Sequence, residues 1–157
     1  NNYGNLCQRI FSFVNSNCNN KVVKPKNFLK TDNEFLSLIK IKINELREMM
    51  ENQNLNNYIK NVLEISFITN KYINDMEPWS LKKKDKERMN TILFVALDQI
   101  AKITILLNPI IPRATIKVLD ALNLKSNLRS LSFIEKNQVF DEDVIISKLD
   151  ILFKKYN

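Results

Sequence analysis

The 157-residue chain has no histidine, one glycine (Gly4) and two cysteines (Cys7 and Cys18). Each shortage removes a class of chemistry. Without histidine there is no Ser-His-Asp or Cys-His nucleophile and no imidazole metal ligand, and two thiols cannot complete a tetrahedral zinc site unaided. With a single glycine, neither a phosphate-cradling P-loop nor a dinucleotide fingerprint can be written. Only four prolines accompany that glycine, so a hairpin-rich β fold, which needs many turn residues, is disfavoured. No catalytic residue and no metal site is assigned, and if the chain belongs to an enzyme its active site is expected elsewhere. Long apolar runs are also missing: no stretch approaches the roughly 20 uninterrupted residues of a membrane span, and the N-terminus lacks a signal-peptide pattern. No membrane partner is expected, and a cytoplasmic location is the default.

What is present suits one ordinary domain, with 45% hydrophobic and 26% charged residues. A chain of this length buries roughly 70% of its unfolded surface, so the core needs no disulfide. Cys7 and Cys18 would share a helix face about three turns apart, too far to bond, and read as reduced packing residues. Lysine and arginine number 24 against 17 acidic residues, a net charge of +7, which invites a polyanionic partner. Yet lysine outnumbers arginine 19 to 5, and asparagine and isoleucine number 23 and 19, as expected of an A/T-rich genome. The arginines therefore carry more information, because their planar fork pairs with bases and phosphates. The chain opens on Asn-Asn-Tyr with no initiator methionine, which suggests a piece of something longer.

The apolar spacing predicts about five helices. Tyr3, Leu6, Ile10, Phe13 and Val14 recur at three to four residues over 2–17, and Asn5, Gln8 and Arg9 fall on the opposite face. A basic connector over 19–30 contains Pro25 and cannot be helical throughout. Thr31 and Glu34 form a capping-box signature for a second helix reaching about residue 52. Asn54 and Asn56 mark a break before a third helix that starts near Leu55, passes through Tyr72 and Met76, and ends ahead of Pro78. Residues 80–88 read as a lysine-rich loop leading to a helix capped by Asp85. From 89 to 107 the segment is apolar on nearly all sides, the mark of the central helix; Pro109 stops it, and Pro112 can open a fifth helix through Leu122. The tail over 135–150 reads as loop, short strand or short helix folded back. The expectation is an all-α, antiparallel bundle forming one domain over 1–157, with helices over 1–124 and an extension over 125–157 packed on them.

Three features could bind nucleic acid. Asn5 and Arg9, four apart, are neighbours on a helix surface and offer an amide and a guanidinium to the edge of a splayed-out base. Trp79, the sole tryptophan, follows a proline and stands beside Lys82, Lys83 and Lys84; a flat ring among cations suits base stacking, and the lysines could meet phosphates. On spacing alone each also has a plainer reading: a solvated face for Asn5, Arg9 and the lysines, a buried corner for Trp79. Asp75 and Glu77 read as local charge balance rather than an acid-base pair.

Taken in order, Asn5-Leu6-Cys7-Gln8-Arg9, then Asn70-Lys71-Tyr72 running to Pro78-Trp79, then Leu107-Asn108-Pro109-Ile110-Ile111-Pro112, resemble the anticodon-binding domain of methionyl-tRNA synthetase. The resemblance covers residues 1 to about 124. The closing Ile151-Leu152-Phe153-Lys154-Lys155 resembles that family's Leu-Phe-Pro-Arg ending, with lysines in place of Pro-Arg. The family implies a class I synthetase whose catalytic domain, in the same polypeptide, precedes a helical bundle that reads the CAU anticodon of tRNA(Met). The resemblance assigns Trp79 to stacking on an anticodon base, and Asn5 and Arg9 to hydrogen bonds with anticodon bases, the first cytosine above all. Pro78 would set the direction of the tryptophan. ATP, methionine and Mg would be needed by the full-length enzyme and not by this chain, which lacks the His-x-Gly-His and Lys-Met-Ser-Lys-Ser-like signatures. Two other readings stay open: the helical domain of the cysteinyl or leucyl enzyme, and a protein-interaction module with no RNA role.

Overall fold

A computed structural model describes residues 2–131 and 138–153. Five α-helices make up most of it: α1 (Asn2–Asn17), α2 (Lys30–Glu51), α3 (Leu55–Met76), α4 (Lys86–Leu107) and α5 (Pro112–Ala121). A two-residue strand β1 (Lys21–Val22) follows α1 and pairs antiparallel with β2 (Val144–Ile145).

The core is organised around α4, whose residues from Thr91 to Leu107 are all buried. One helix surrounded on every side must be apolar on every side, which is why no stripe is visible in its sequence. By length and composition α4 could cross a membrane, but 94% of its apolar window is buried inside the bundle. Hydrogen bonds fix the helix directions. Tyr58 donates to the Leu106 carbonyl at 2.7 Å and Arg88 reaches the Met76 sulfur, so α3 and α4 are antiparallel. Tyr72 meets Asp32 near the start of α2, and Lys42 meets Glu64 midway, so α2 and α3 are antiparallel too. α1 lies against both α3 and α4: Tyr3 shares a 2.7 Å hydrogen bond with Thr104, while Asn2 and Arg9 meet Asn70 and Asn74 in ascending order. It therefore runs in the same direction as α3.

Three local expectations are corrected. The second helix starts at Lys30, and the carboxylate that closes its first turn is Asp32, which accepts the Leu29 N–H at 2.9 Å. Glu34 instead stands 3.8 Å from Lys30 on the surface. The reason is tertiary: Asp32 is fully buried and also accepts two bonds from Arg88 (2.6 and 2.8 Å) and one from Tyr72 (2.6 Å), so the turn winds around the residue with buried partners. Residues 80–88 are not all loop, because Pro78–Leu81 forms a 3-10 turn and α4 is under way at Lys86. Asp85 caps α4 as expected, accepting the Arg88 N–H at 3.0 Å. Cys18 stands just past the end of α1, half-buried, and Cys7 is fully buried; both are free thiols.

The tail supplies a short strand and a strap. Beyond the β1–β2 pairing, Asp98 in α4 accepts the Val139 and Phe140 N–H groups at 2.6 and 3.0 Å, and Gln8 donates to the Asp150 carbonyl at 2.9 Å. Of the predicted tail, residues 135–137 lie outside the described residues, as do Lys154 and Lys155.

Candidate nucleic-acid interface

The site forms where α1 crosses the C-terminal half of α3. α1 keeps Leu6, Cys7, Ile10, Phe11 and Val14 in the core, which leaves Asn2, Asn5 and Arg9 on one outward line three and four residues apart. Asn5 is exposed. Arg9 is held from three sides. Its Nη1 donates to the Asn74 Oδ1 at 2.8 Å, its Nη2 donates to the Asn70 Oδ1 at 3.2 Å, and its guanidinium lies over the Trp79 ring, 5.2 Å from the centroid. Cation–π contact at this distance is worth about 0.5–1 kcal/mol at an exposed site. Two features of the chain orient the tryptophan. α3 ends at Glu77, whose backbone is left-handed (φ 46°, ψ 60°), and Pro78 is buried behind it. α3 thus breaks off at one residue, and the turn that follows holds Trp79 against Arg9 of α1 with 39% of its surface exposed.

Electrostatically the site is cationic. Arg9's partners are neutral amide oxygens, and among the described residues no carboxylate comes within ion-pair distance of it. Burial draws its pKa below the ordinary arginine value, yet a guanidinium remains charged at any physiological pH. Lys82, Lys83 and Lys84 are exposed on the turn after Trp79. Asp75 is engaged by Lys71 at 2.7 Å, one helical turn away, and not by that lysine cluster.

Asn5, Arg9, Pro78 and Trp79, separated by up to 74 positions in sequence, thus sit on one surface. Asn70 falls within a motif read from the sequence, but neither it nor Asn74 was given a role in the site by sequence reasoning. Their signal was available: two asparagines four apart occupy one face of a helix and can grip a single guanidinium. Asn70 also donates to Asn2 Oδ1, tying the first turn of α1 to α3. Among the described residues no three Cys, Asp or Glu side chains converge as a metal site.

The bundle is a fold already seen in synthetases. It superposes on the free-state methionyl-tRNA synthetase of Mycobacterium tuberculosis with a TM-score of 0.90 at 24% identity, covering 100% of this chain and 32% of that one. The same enzyme bound by methionyl-adenylate gives 0.89, covering 98% and 31%. Sequence carries the relationship further. A family model described as the anticodon binding domain of methionyl tRNA ligase matches residues 23–157, and the chain belongs to that family. The methionine–tRNA ligase of Brucella suis is 31% identical over 132 residues, 84% of this chain. That of Pyrococcus horikoshii is 30% identical over 155 residues, 99% of this chain, a range that takes in α1 with Asn5 and Arg9. The chain spans only 26% and 21% of the length of these two relatives.

Proposed function

We propose that this chain reads the CAU anticodon of tRNA(Met) for a cytoplasmic methionine–tRNA ligase. A catalytic domain in the same polypeptide would then join methionine to the tRNA with ATP and Mg. Those reactants belong to that other part, since this chain carries neither class I signature. Residues 1–124 are the reading bundle and 125–157 the strap that braces it. The observation that carries the reading is the placement of Arg9 over Trp79 on an exposed cationic surface, in a chain of this family.

The division of labour follows from the donors available. A guanidinium has five N–H groups, and Asn70 and Asn74 use two of them. The three that remain can donate to acceptors such as N3 and O2 on the Watson–Crick edge of cytosine. Asn5, four residues earlier on the same face, adds an amide that both donates and accepts. The exposed part of Trp79 takes a base by stacking, worth about 1–3 kcal/mol. Lys82, Lys83 and Lys84 attract the phosphates without choosing among bases.

Binding of an anticodon stem-loop at fixed salt tests this. Trp79→Ala should weaken binding to the CAU loop by about 5- to 160-fold while leaving the fold intact. Wild-type chain should prefer CAU to GCA and other loops. Equal affinity for all loops, unmoved by the substitution, would sink the proposal.

A further inference from the structure

On α3, Phe67 stands three residues before Asn70 and seven before Asn74, on the same helix face. Phe67 is 60% exposed, with Leu63 one turn earlier at 41%. A free aromatic ring in water gains nothing for the fold, and this one lies on the line that already holds Arg9. Nine helical residues, about 14 Å at 1.5 Å each, separate Phe67 from the end of α3 where the chain turns to Trp79. The charge around it is also telling. Lys60 and Lys71, seven residues before and four after, share its face. The adjacent carboxylates are occupied: Glu64 is 3.2 Å from Lys42, and Asp75 is 2.7 Å from Lys71.

We propose that Phe67 is a second stacking platform, taking an unpaired nucleotide of the same RNA loop several positions from the base on Trp79. The inference rests on the anticodon-reading proposal and extends it to a residue outside the reading set. The physical case is continuity and charge. The ring shares a helix face with Asn70 and Asn74, and an RNA strand leaving Trp79 along the α1–α3 line meets it. About 14 Å corresponds to about four stacked steps at 3.4 Å, or fewer in a strand drawn out of its stack. Lys60, and Lys71 although it is shared with Asp75, suit the phosphates that flank a stacked base. They do not suit a protein contact, whose centre is depleted of charge. Base stacking on an aromatic ring tolerates any base, so Phe67 would add affinity and loop geometry rather than base choice.

The test uses Phe67→Leu, which keeps apolar bulk and removes the ring, and reads two signals. One is affinity for the CAU stem-loop; the other is the emission of Trp79, which as the sole tryptophan reports its own base. Phe67→Leu should weaken binding about 10-fold with the Trp79 response at saturation unchanged. Removing one particular loop base, other than the base that quenches Trp79, should erase the difference in affinity between wild type and the Phe67→Leu variant. Equal affinity of the two proteins, with Trp79 still responding, would overturn the platform and leave anticodon reading intact, the result expected if Phe67 touches another part of a longer protein. Weaker binding that no single abasic loop abolishes would overturn it as well. Should Trp79 emission fail to respond to any loop, both proposals fall together.

Discussion

Arg9 is the residue whose role changed most between sequence and structure. Its spacing from Asn5 placed it on a solvent-facing helix surface, where a long flexible side chain ordinarily contributes little. Two asparagines and a tryptophan instead fix its plane, so the entropy of ordering that fork is already spent before a base arrives. Asn74 should therefore matter without touching RNA. Asn74→Ala is expected to weaken CAU binding by about 3- to 10-fold, the loss of one charge-assisted hydrogen bond, and to narrow the preference for CAU over other loops in the same titration. A retained preference would show that Arg9 is aimed by Trp79 alone. Cys7 and Tyr3 show the opposite case, of polar groups that serve the core: burial pushes the Cys7 thiol up to about 12 and raises the Tyr3 phenol as well, so neither ionises in the cell.

At the scale of the elements, the junction of α2, α3 and α4 is set by one buried carboxylate. Burial disfavours the charge on Asp32, but the bonds from Arg88, Tyr72 and the Leu29 N–H outweigh that and hold its pKa below the usual carboxylate value. Tyr72, stacked on Phe35 with ring centroids 4.3 Å apart, completes the cluster. Asp32→Ala should cost about 3–5 kcal/mol, because it strands the Arg88 charge against buried neighbours. Since the folded pKa is depressed, this contribution is complete above the unfolded value of about 4 and is lost as pH falls through the folded value. Urea unfolding should accordingly separate wild type from Asp32→Ala most widely at pH 7, with the gap narrowing as the pH falls below about 4. A gap independent of pH would mean that Asp32 acts by packing. The turns between elements also reflect the scarcity of glycine. Asn19, Asn20, Gln53, Glu77 and Asn123 all adopt positive φ, and asparagine is the side chain that tolerates this region best.

In the whole molecule, the tail closes the bundle through a charge in its centre. Asp98 and Lys102 lie 3.4 Å apart on α4, both almost fully buried, and with Gln99 and Thr104 they interrupt its apolar run. Burial raises the Asp98 pKa, opposed by Lys102 and by the two tail N–H groups. Asp98→Ala should release the strap: hydrogen exchange at the Val139 and Phe140 amides should speed up, with a global loss of about 3–5 kcal/mol from breaking the buried Asp98–Lys102 pair. Unchanged protection at those amides would locate the strap's hold at β1–β2 instead. The net charge acts at the same scale. Replacing Lys82, Lys83 and Lys84 with alanine should lower the slope of log affinity against log salt by about 2 if all three meet phosphates of a single-stranded loop, at about 0.7 each. The order of preference among loops should stay as it was.

Helix number, the breaks at Pro25, Asn54 and Pro78, the central α4 and the ordered motifs were legible in the sequence, because periodicity and backbone sterics act over a few residues. The capping role of Asp32, the β1–β2 pairing and the grip of Asn70 and Asn74 on Arg9 were not. Each joins residues tens of positions apart, and no local pattern encodes such a meeting. The shortage of histidine and glycine was likewise legible, and with it the absence of an imidazole or of a glycine-rich phosphate loop. Only the packing of α1 against α3 decided that one arginine and one tryptophan share a surface, because a bundle buries apolar faces first and the polar residues that become neighbours are those left on the outside.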